Sequence, residues 1–294
     1  MINSNINFST NFKVSVVMPV YNAAKFVEEA VLSSIHLEEV GEIILIEDGS
    51  KDGSLAVCEN LAKTYDKITL FTHENNANKG ASESRNVGLK KAKFDFISFL
   101  DADDAYAQNR FTAEKNIFLN DPKIDGVYSA FGYINEPEGK LFTLTKSLEP
   151  SRLFHFLLRG TYGHFCTNGI TVKKSVFQEI GYFNPKLILH QDTEMWLKMA
   201  FLKVLVSGEL IQPVGYIRRH EGNRIWKGKN NDTKLLVYHS FLDWVINKNI
   251  TTLDLLILVR KIARFSSELE KKPFKIVFIK KAIQVVFQKY FGIK

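Results

Sequence analysis

The sequence predicts an α/β fold, a mostly parallel sheet flanked by helices with a helical C-terminal extension. Three observations carry that prediction. Apolar runs rich in β-branched residues alternate with stretches whose apolar residues recur at helical spacing, giving four strands and three helices by Asp104. Three of those runs stop abruptly in polar or acidic residues, as strands do at the ligand-binding edge of an open α/β sheet. After a polar loop at 222–232 only helical patterning remains.

Val14–Val20 reads as the first strand, ending near Pro19, which cannot donate to a sheet ladder. Val27, Ala30, Val31, Ser34 and Ile35 form one apolar helical stripe. Ile43–Ile46 is the second strand and runs into Glu47-Asp48-Gly49-Ser50. Asp52-Gly53-Ser54 opens a helix with Leu55, Cys58, Ala62 and Tyr65 inward. Ile68–Phe71 is the third strand, and Lys79-Gly80 leads into a helix over 81–91. Phe96–Leu100 is the fourth strand, ending in Asp101-Ala102-Asp103-Asp104.

Beyond Asp104 the spacing predicts a helix over 111–119. A hairpin is expected between 126–133 and 141–143 across Asn135–Gly139, then a strand at 169–173 and a short helix at 174–180. A turn at 181–185, a helix over 192–201 and one or two strands within 204–218 complete this half. Three helices are expected near 233–248, 253–268 and 273–291. The main domain is therefore 1–225 and the helical extension 226–294, with no internal repeat.

Composition narrows the function. With 45% hydrophobic residues in 294, a large core is expected. Cys58 and Cys166 are too few for a disulfide framework, which points to a reducing, cytoplasmic compartment. The polar start lacks the basic and apolar regions of a signal peptide, and no apolar run approaches a membrane span. The net charge of +7 resides in seven lysines after Glu270, and the rest of the chain carries 32 basic and 32 acidic residues. That balance argues against a nucleic-acid binder. The tail stripe Ile276, Ile279, Ile283, Val286, Phe287 and Tyr290 must be covered. Two covers are open: packing on other helices or in a homodimer, or contact with the inner face of a membrane carrying anionic lipid.

Chemistry gathers at the three strand ends. Tyr21 can cover a base, Asp48 can accept from a base N–H, and Asp103 in Asp-x-Asp can offer hard oxygen to Mg²⁺ or Mn²⁺. The bland alternatives are packing for Tyr21, a turn for Asp48-Gly49-Ser50 and an Asp-rich cap for 101–104. Neither Gly-x-Gly-x-x-Gly nor a P-loop is present, which argues against dinucleotide and P-loop folds.

Five motifs occur in order: Val16-Val17-Met18-Pro19-Val20-Tyr21-Asn22, Ile46-Glu47-Asp48-Gly49-Ser50-Lys51-Asp52-Gly53-Ser54, Asn78-Lys79-Gly80, Ser84-Arg85-Asn86-Val87-Gly88-Leu89 and Phe99-Leu100-Asp101-Ala102-Asp103-Asp104. Together they resemble the inverting family 2 glycosyltransferases of GT-A fold, closely over 12–104 and more loosely to about 220. The resemblance implies a nucleotide-binding half at about 12–104 and an acceptor half at about 105–225. It implies that Pro19, Tyr21, Asn22, Asp48, Lys79, Arg85, Asp101, Ala102 and Arg219 serve the nucleotide sugar. Asp103 and His220 would hold a divalent Mn²⁺ or Mg²⁺. A purely structural, carboxylate-paired Arg85 is the alternative.

The family's general base falls at the start of a helix in the second half, where this chain has His190-Gln191-Asp192-Thr193-Glu194-Met195-Trp196. Asp192 fits it, with helix capping as the bland role and Glu194 as the fallback. Gln191 departs from the commoner glutamate. His164, Phe165, Thr167 and Asn168 are expected on the acceptor side, and Trp226 in a segment closing over the donor. The implied reaction moves a hexosyl or N-acetylhexosaminyl group from a nucleotide-sugar donor, most commonly UDP-linked, to a glycan or lipid-linked glycan acceptor in cell-surface polysaccharide synthesis. The rivals are a sugar-nucleotide-forming nucleotidyltransferase, which would want a Gly-rich basic loop where Tyr21-Asn22-Ala23-Ala24 stands, and a non-catalytic sugar-nucleotide binder.

Overall fold

The computed structural model describes residues 12–134, 140–220 and 231–267. The first four strands are β1 (Val14–Val20), β2 (Val40–Glu47), β3 (Ile68–Thr72) and β4 (Phe96–Phe99). They alternate with α1 (Val27–Ile35), α2 (Ser54–Thr64) and α3 (Ala81–Lys91). Then come β5 (Ala105–Tyr106), α4 (Thr112–Asn120), β6 (Gly126–Tyr128), β7 (Gly132–Tyr133), α5 (Pro150–Arg159), β8 (Ile170–Lys173) and α6 (Lys174–Ile180). They are followed by α7 (Gln191–Leu202), β9 (Leu205–Ser207), β10 (Gly215–Ile217), α8 (Asn231–Val245) and α9 (Thr252–Ser267).

A seven-stranded sheet has the order β3-β2-β1-β4-β8-β6-β9. β1 pairs in parallel with β2 and β4, β2 with β3, and β6 with β9, while β8 runs antiparallel to β4 and β6. The largely parallel α/β sheet predicted from sequence is therefore present. Alternation along β1 and β2 divides the core: Val14, Val16, Met18, Ile43 and Leu45 join one cluster, Val17, Ile44 and Ile46 the other. α1, α2 and α4 cover the first face; α5 to α9 pack on the second.

Gly88 lets α3 lie directly on β1, because a Cβ there would stand 2.3 Å from Val17 Cγ1. α8 and α9 share the core of α5 and α7 through Phe154, Met199, Phe241, Leu242 and Leu258, all buried. Among the described residues no helix is long and apolar enough to cross a membrane.

Two differences from the sequence reading have physical causes. The segment 126–133 is not one arm of a hairpin. Gly126–Tyr128 joins the main sheet and Gly132–Tyr133 a small sheet of order β5-β10-β7. Between them Ser129 N–H donates to Gly169 and Ala130 N–H to Glu209, which turns the chain from one sheet to the other. Among the described residues the antiparallel contact with 141–143 is at Phe131 and Phe142. The second difference is α5, with Pro150 in its first turn and Gly160 ending it at φ 72. Trp226 and the 273–291 helix fall outside the described residues.

Candidate active site

The C-terminal ends of β1, β2 and β4 open on a cavity of about 540 Å³. Pro19, Tyr21, Asn22, Asp48, Arg85, Asp101, Ala102, Asp103, Asp192 and His220 all line it, so ten of the twelve residues singled out from sequence come together. Lys79 and Arg219 are not among the lining residues. Lys79 acts through its backbone, and Arg219 is exposed with its guanidinium 4.3 Å from the centre of the Tyr133 ring.

At the end of β2, Asp48 N–H still donates to Val20. Its side chain is buried and accepts from Lys79 N–H at 2.6 Å and Gly80 N–H at 2.9 Å, with His73 Nε2 at 3.4 Å. Burial raises its pKa against the pull of those hydrogen bonds and of His73. Gly49, at φ 71, makes the turn where a Cβ would meet Asn76 O at 2.5 Å. Asn22, itself left-handed at φ 49, ties the loops after β1 and β2 together. Its N–H donates to Ser50 Oγ and its Oδ1 accepts from Lys51 N–H, both at 2.9 Å.

The acidic turn after β4 is clamped from three sides. Asn168 Oδ1 accepts from Asp101 N–H at 3.0 Å, and its Nδ2 donates to Asp104. Arg218 N–H donates to Asp104 Oδ1 at 2.8 Å. Arg85, buried, meets Asp101 at 2.7 Å, so the paired arginine expected as the alternative is present. Its Nε and Nη1 have no hydrogen-bond partner among the described residues, and the residue lines the cavity. Asp103 Oδ2 lies 2.8 Å from His220 Nε2, delivered by the chain leaving β10. Burial, then the Asp101 charge, raises the Asp103 pKa against His220, and burial with both neighbouring acids raises Asp104 well above the usual carboxylate range.

These groups suit a hard divalent cation. Two ligands at right angles with bonds of about 2.1 Å stand roughly 3 Å apart, close to the Asp103–His220 separation. Among the described residues no cluster of three or more potential protein ligands occurs, so Asp103 and His220 would supply two positions and leave the rest to ligand and water.

Asp192 is the second residue of α7, half-buried on the cavity wall, with Oδ1 accepting from Thr193 N–H at 2.7 Å. Glu194 is fully buried between Lys198 and Ser240 and does not line the cavity. Thr167 and Asn168 line it as well, Phe165 is core under Trp196, and His164 lies outside the lining.

A support beneath the acidic turn was not legible from sequence. Arg110 has no exposed surface; it holds Glu114 at 2.8 Å, Ser98 Oγ at 2.8 Å and the Asn168 carbonyl at 3.0 Å. Only the i,i+4 spacing of Arg110 and Glu114 shows in the sequence, and that pattern ordinarily marks a solvated helix face.

Comparison with known proteins adds three findings. The family described as glycosyl transferase family 2 matches the chain over residues 15–181. An uncharacterized glycosyltransferase of Rickettsia felis is 31% identical over 237 residues, 78% of this chain and 38% of the relative. The minor teichoic acid biosynthesis protein GgaA of Bacillus subtilis is 30% identical over 196 residues, 60% of this chain and 43% of the relative. The chain thus spans less than half the length of these two curated relatives. Among solved structures, S. aureus TarS 1–349 in complex with UDP-GlcNAc superposes with a TM-score of 0.71 over 93% of this chain and 81% of that one, at 20% identity, which establishes a shared fold.

Proposed function

The chain belongs to glycosyl transferase family 2, and on that premise we propose that it moves a sugar, with inversion, from a UDP-linked donor to a hydroxyl of a glycan or lipid-linked glycan acceptor. One observation carries this reading: Asp103 with His220 and Asp192 line a single cavity, an electrophile-binding side and a basic side of one space. GgaA's role in teichoic acid biosynthesis and the UDP-GlcNAc held by TarS support a cell-surface polymer and a UDP donor.

In this reading Tyr21, 41% exposed at the mouth, covers the base, with Pro19 and Asn22 beside it. Asp48 holds the Lys79–Gly80 loop that shapes the base pocket. Arg85 Nη2 fixes Asp101 at the cavity wall and so supports the nucleotide site. Asp103 and His220 would hold Mn²⁺ or Mg²⁺, and such an ion supplies charge for the departing diphosphate. Asp192 takes the proton from the acceptor hydroxyl as that oxygen attacks the anomeric carbon and the bond to the diphosphate breaks. Thr193 N–H, at the start of α7, keeps the Asp192 carboxylate aimed.

The test is a screen of nucleotide sugars for turnover by the intact chain, with and without chelator, beside Asp192→Asn and Asp103→Ala. Asp192→Asn should keep donor binding and lose turnover by about 10² to 10⁴. Asp103→Ala should lose metal-dependent donor binding and stay folded. Full turnover in excess chelator sinks the metal role; donor binding lost in Asp192→Asn with turnover of bound donor retained sinks the base.

A further inference from the structure

The residues assigned to the donor leave part of the cavity wall unused. Among the described residues, three of its lining side chains are large, apolar and exposed: Tyr21, Phe142 at 36% and Ile188 at 74%. Tyr21 serves the base. Phe142 and Ile188 have no part in the donor site, and apolar surface left facing water gains free energy when a ligand covers it.

Strand direction separates Phe142 from Tyr21. β4 and β6 both run antiparallel to β8, so β6 runs the same way as β4 and its C-terminal end opens on the same edge of the sheet. Tyr21 follows β1 on one side of β4, and Phe131 follows β6 on the other. Phe142 is tied to Phe131 by two backbone hydrogen bonds, of 2.7 and 3.2 Å. Two residues on, Leu144 is buried and bridges to Gly163. The Phe142 backbone is thus fixed on both sides, and its exposure belongs to the fold. The chain beyond Gly163 brings Thr167 into the lining, with Oγ1 3.5 Å from Asp192 Oδ2. Ile188 lies four residues ahead of Asp192, on the segment that enters α7. Phe142 and Ile188 therefore share the Asp192 side of the cavity.

The mixture of groups on that side selects the ligand. Thr167 and Gln191 stand in the same lining as Phe142 and Ile188. A hydrocarbon chain would strip water from those polar groups and from Asp192 without replacing their hydrogen bonds. A sugar ring matches both. The C–H groups on one face of a pyranose are positively polarised and lie against the negative face of an aromatic ring, while the hydroxyls at its edge reach polar side chains.

We propose that Phe142 is the stacking platform of an acceptor subsite, taking a pyranose ring by its C–H face while Thr167 and Gln191 meet the hydroxyls. The proposal rests on the reading of Asp192 as the base, because that makes this side the entry of the acceptor hydroxyl. It gives the segment 141–144, which no motif marks, a role in acceptor choice.

The test is saturation-transfer NMR on the intact chain with UDP and Mg²⁺ present. The probes are the methyl glycosides of glucose, galactose and N-acetylglucosamine, the open-chain polyol sorbitol, and octanoate. Wild type is compared with F142A, F142L, F142Y and I211A. F142L keeps apolar volume without a π face, and Ile211 is an exposed residue outside the cavity lining. At least one glycoside should bind and sorbitol should not. Glycoside affinity should fall about five-fold or more in F142A and F142L, and stay within about two-fold in F142Y and I211A. UDP affinity, read on the same samples, should not change. Glycosides binding no better than sorbitol, or F142L retaining the wild-type affinity, overturns the proposal. Loss of UDP affinity in F142A overturns it by placing Phe142 on the donor side. Octanoate binding that alone depends on Phe142 overturns it in favour of an acyl chain. Failure of wild type to bind UDP counts against the donor reading instead, and the glycoside comparison without UDP then judges the subsite.

Discussion

Asp48 and Asp103 end strands of the same sheet and are both raised in pKa by burial, yet they sit in different bonds. Asp48 accepts two backbone N–H groups and shapes a loop; Asp103 meets the His220 imidazole at 2.8 Å, a pair that an ion can enter. His190 is the residue where pH should register. Burial lowers its pKa from 6.5, so its folded value lies below its unfolded one. The unfolded chain then binds the proton more readily, and the stability present above about pH 6.5 is lost as pH falls through the folded value. His190→Asn tolerates the left-handed backbone and removes the titration. The expected outcome is a melting temperature that drops less in the variant than in wild type between about pH 7.5 and pH 5. Equal drops assign the acid sensitivity elsewhere.

At the scale of elements, β10 and α5 do work that no local motif announces. β10 pairs with β5 and so carries Arg218 to Asp104, and His220 to Asp103 across 117 residues of chain. α5 props α7, and its His155 Nδ1 reaches Asp254 of α9 at 2.6 Å, joining α5 to the C-terminal helices. Leu158 has no exposed surface in this joint. Leu158→Ala should destabilise by about 2–5 kcal/mol in denaturant unfolding, against about 0.5 kcal/mol or less for Ser151→Ala on the exposed side. A small effect at Leu158 would mean that α5 is dispensable to the core.

For the whole molecule, α7 joins the two parts of the site. Its first turn supplies Asp192 to the cavity, and its body is core for α5 and α8. The lysine-rich residues 271–294 lie outside the described residues and carry the entire charge excess. If they contact a membrane, the intact chain sediments with anionic vesicles at low salt, and a chain ending at residue 270 remains in the supernatant and stays active. Failure of the intact chain to sediment assigns the tail to packing or to a second copy.

The sequence by itself determined the α/β alternation, the strand ends and ten of the cavity residues, because motifs such as Pro19-Val20-Tyr21-Asn22 and Asp101-Ala102-Asp103 are local. Strand period, turn glycines and clustered acids express themselves over a few residues. α5 was not predicted, although Pro150, the pairs Leu153-Phe154 and Leu157-Leu158, and Gly160 bound an amphipathic helix. Only the tertiary structure decided that 126–133 splits between two sheets, that Arg110 and Glu114 are core rather than surface, and that Asn168 clamps both Asp101 and Asp104. Each of these depends on contacts between residues far apart in the chain, and such contacts are set by which faces pack, not by any pattern within one segment.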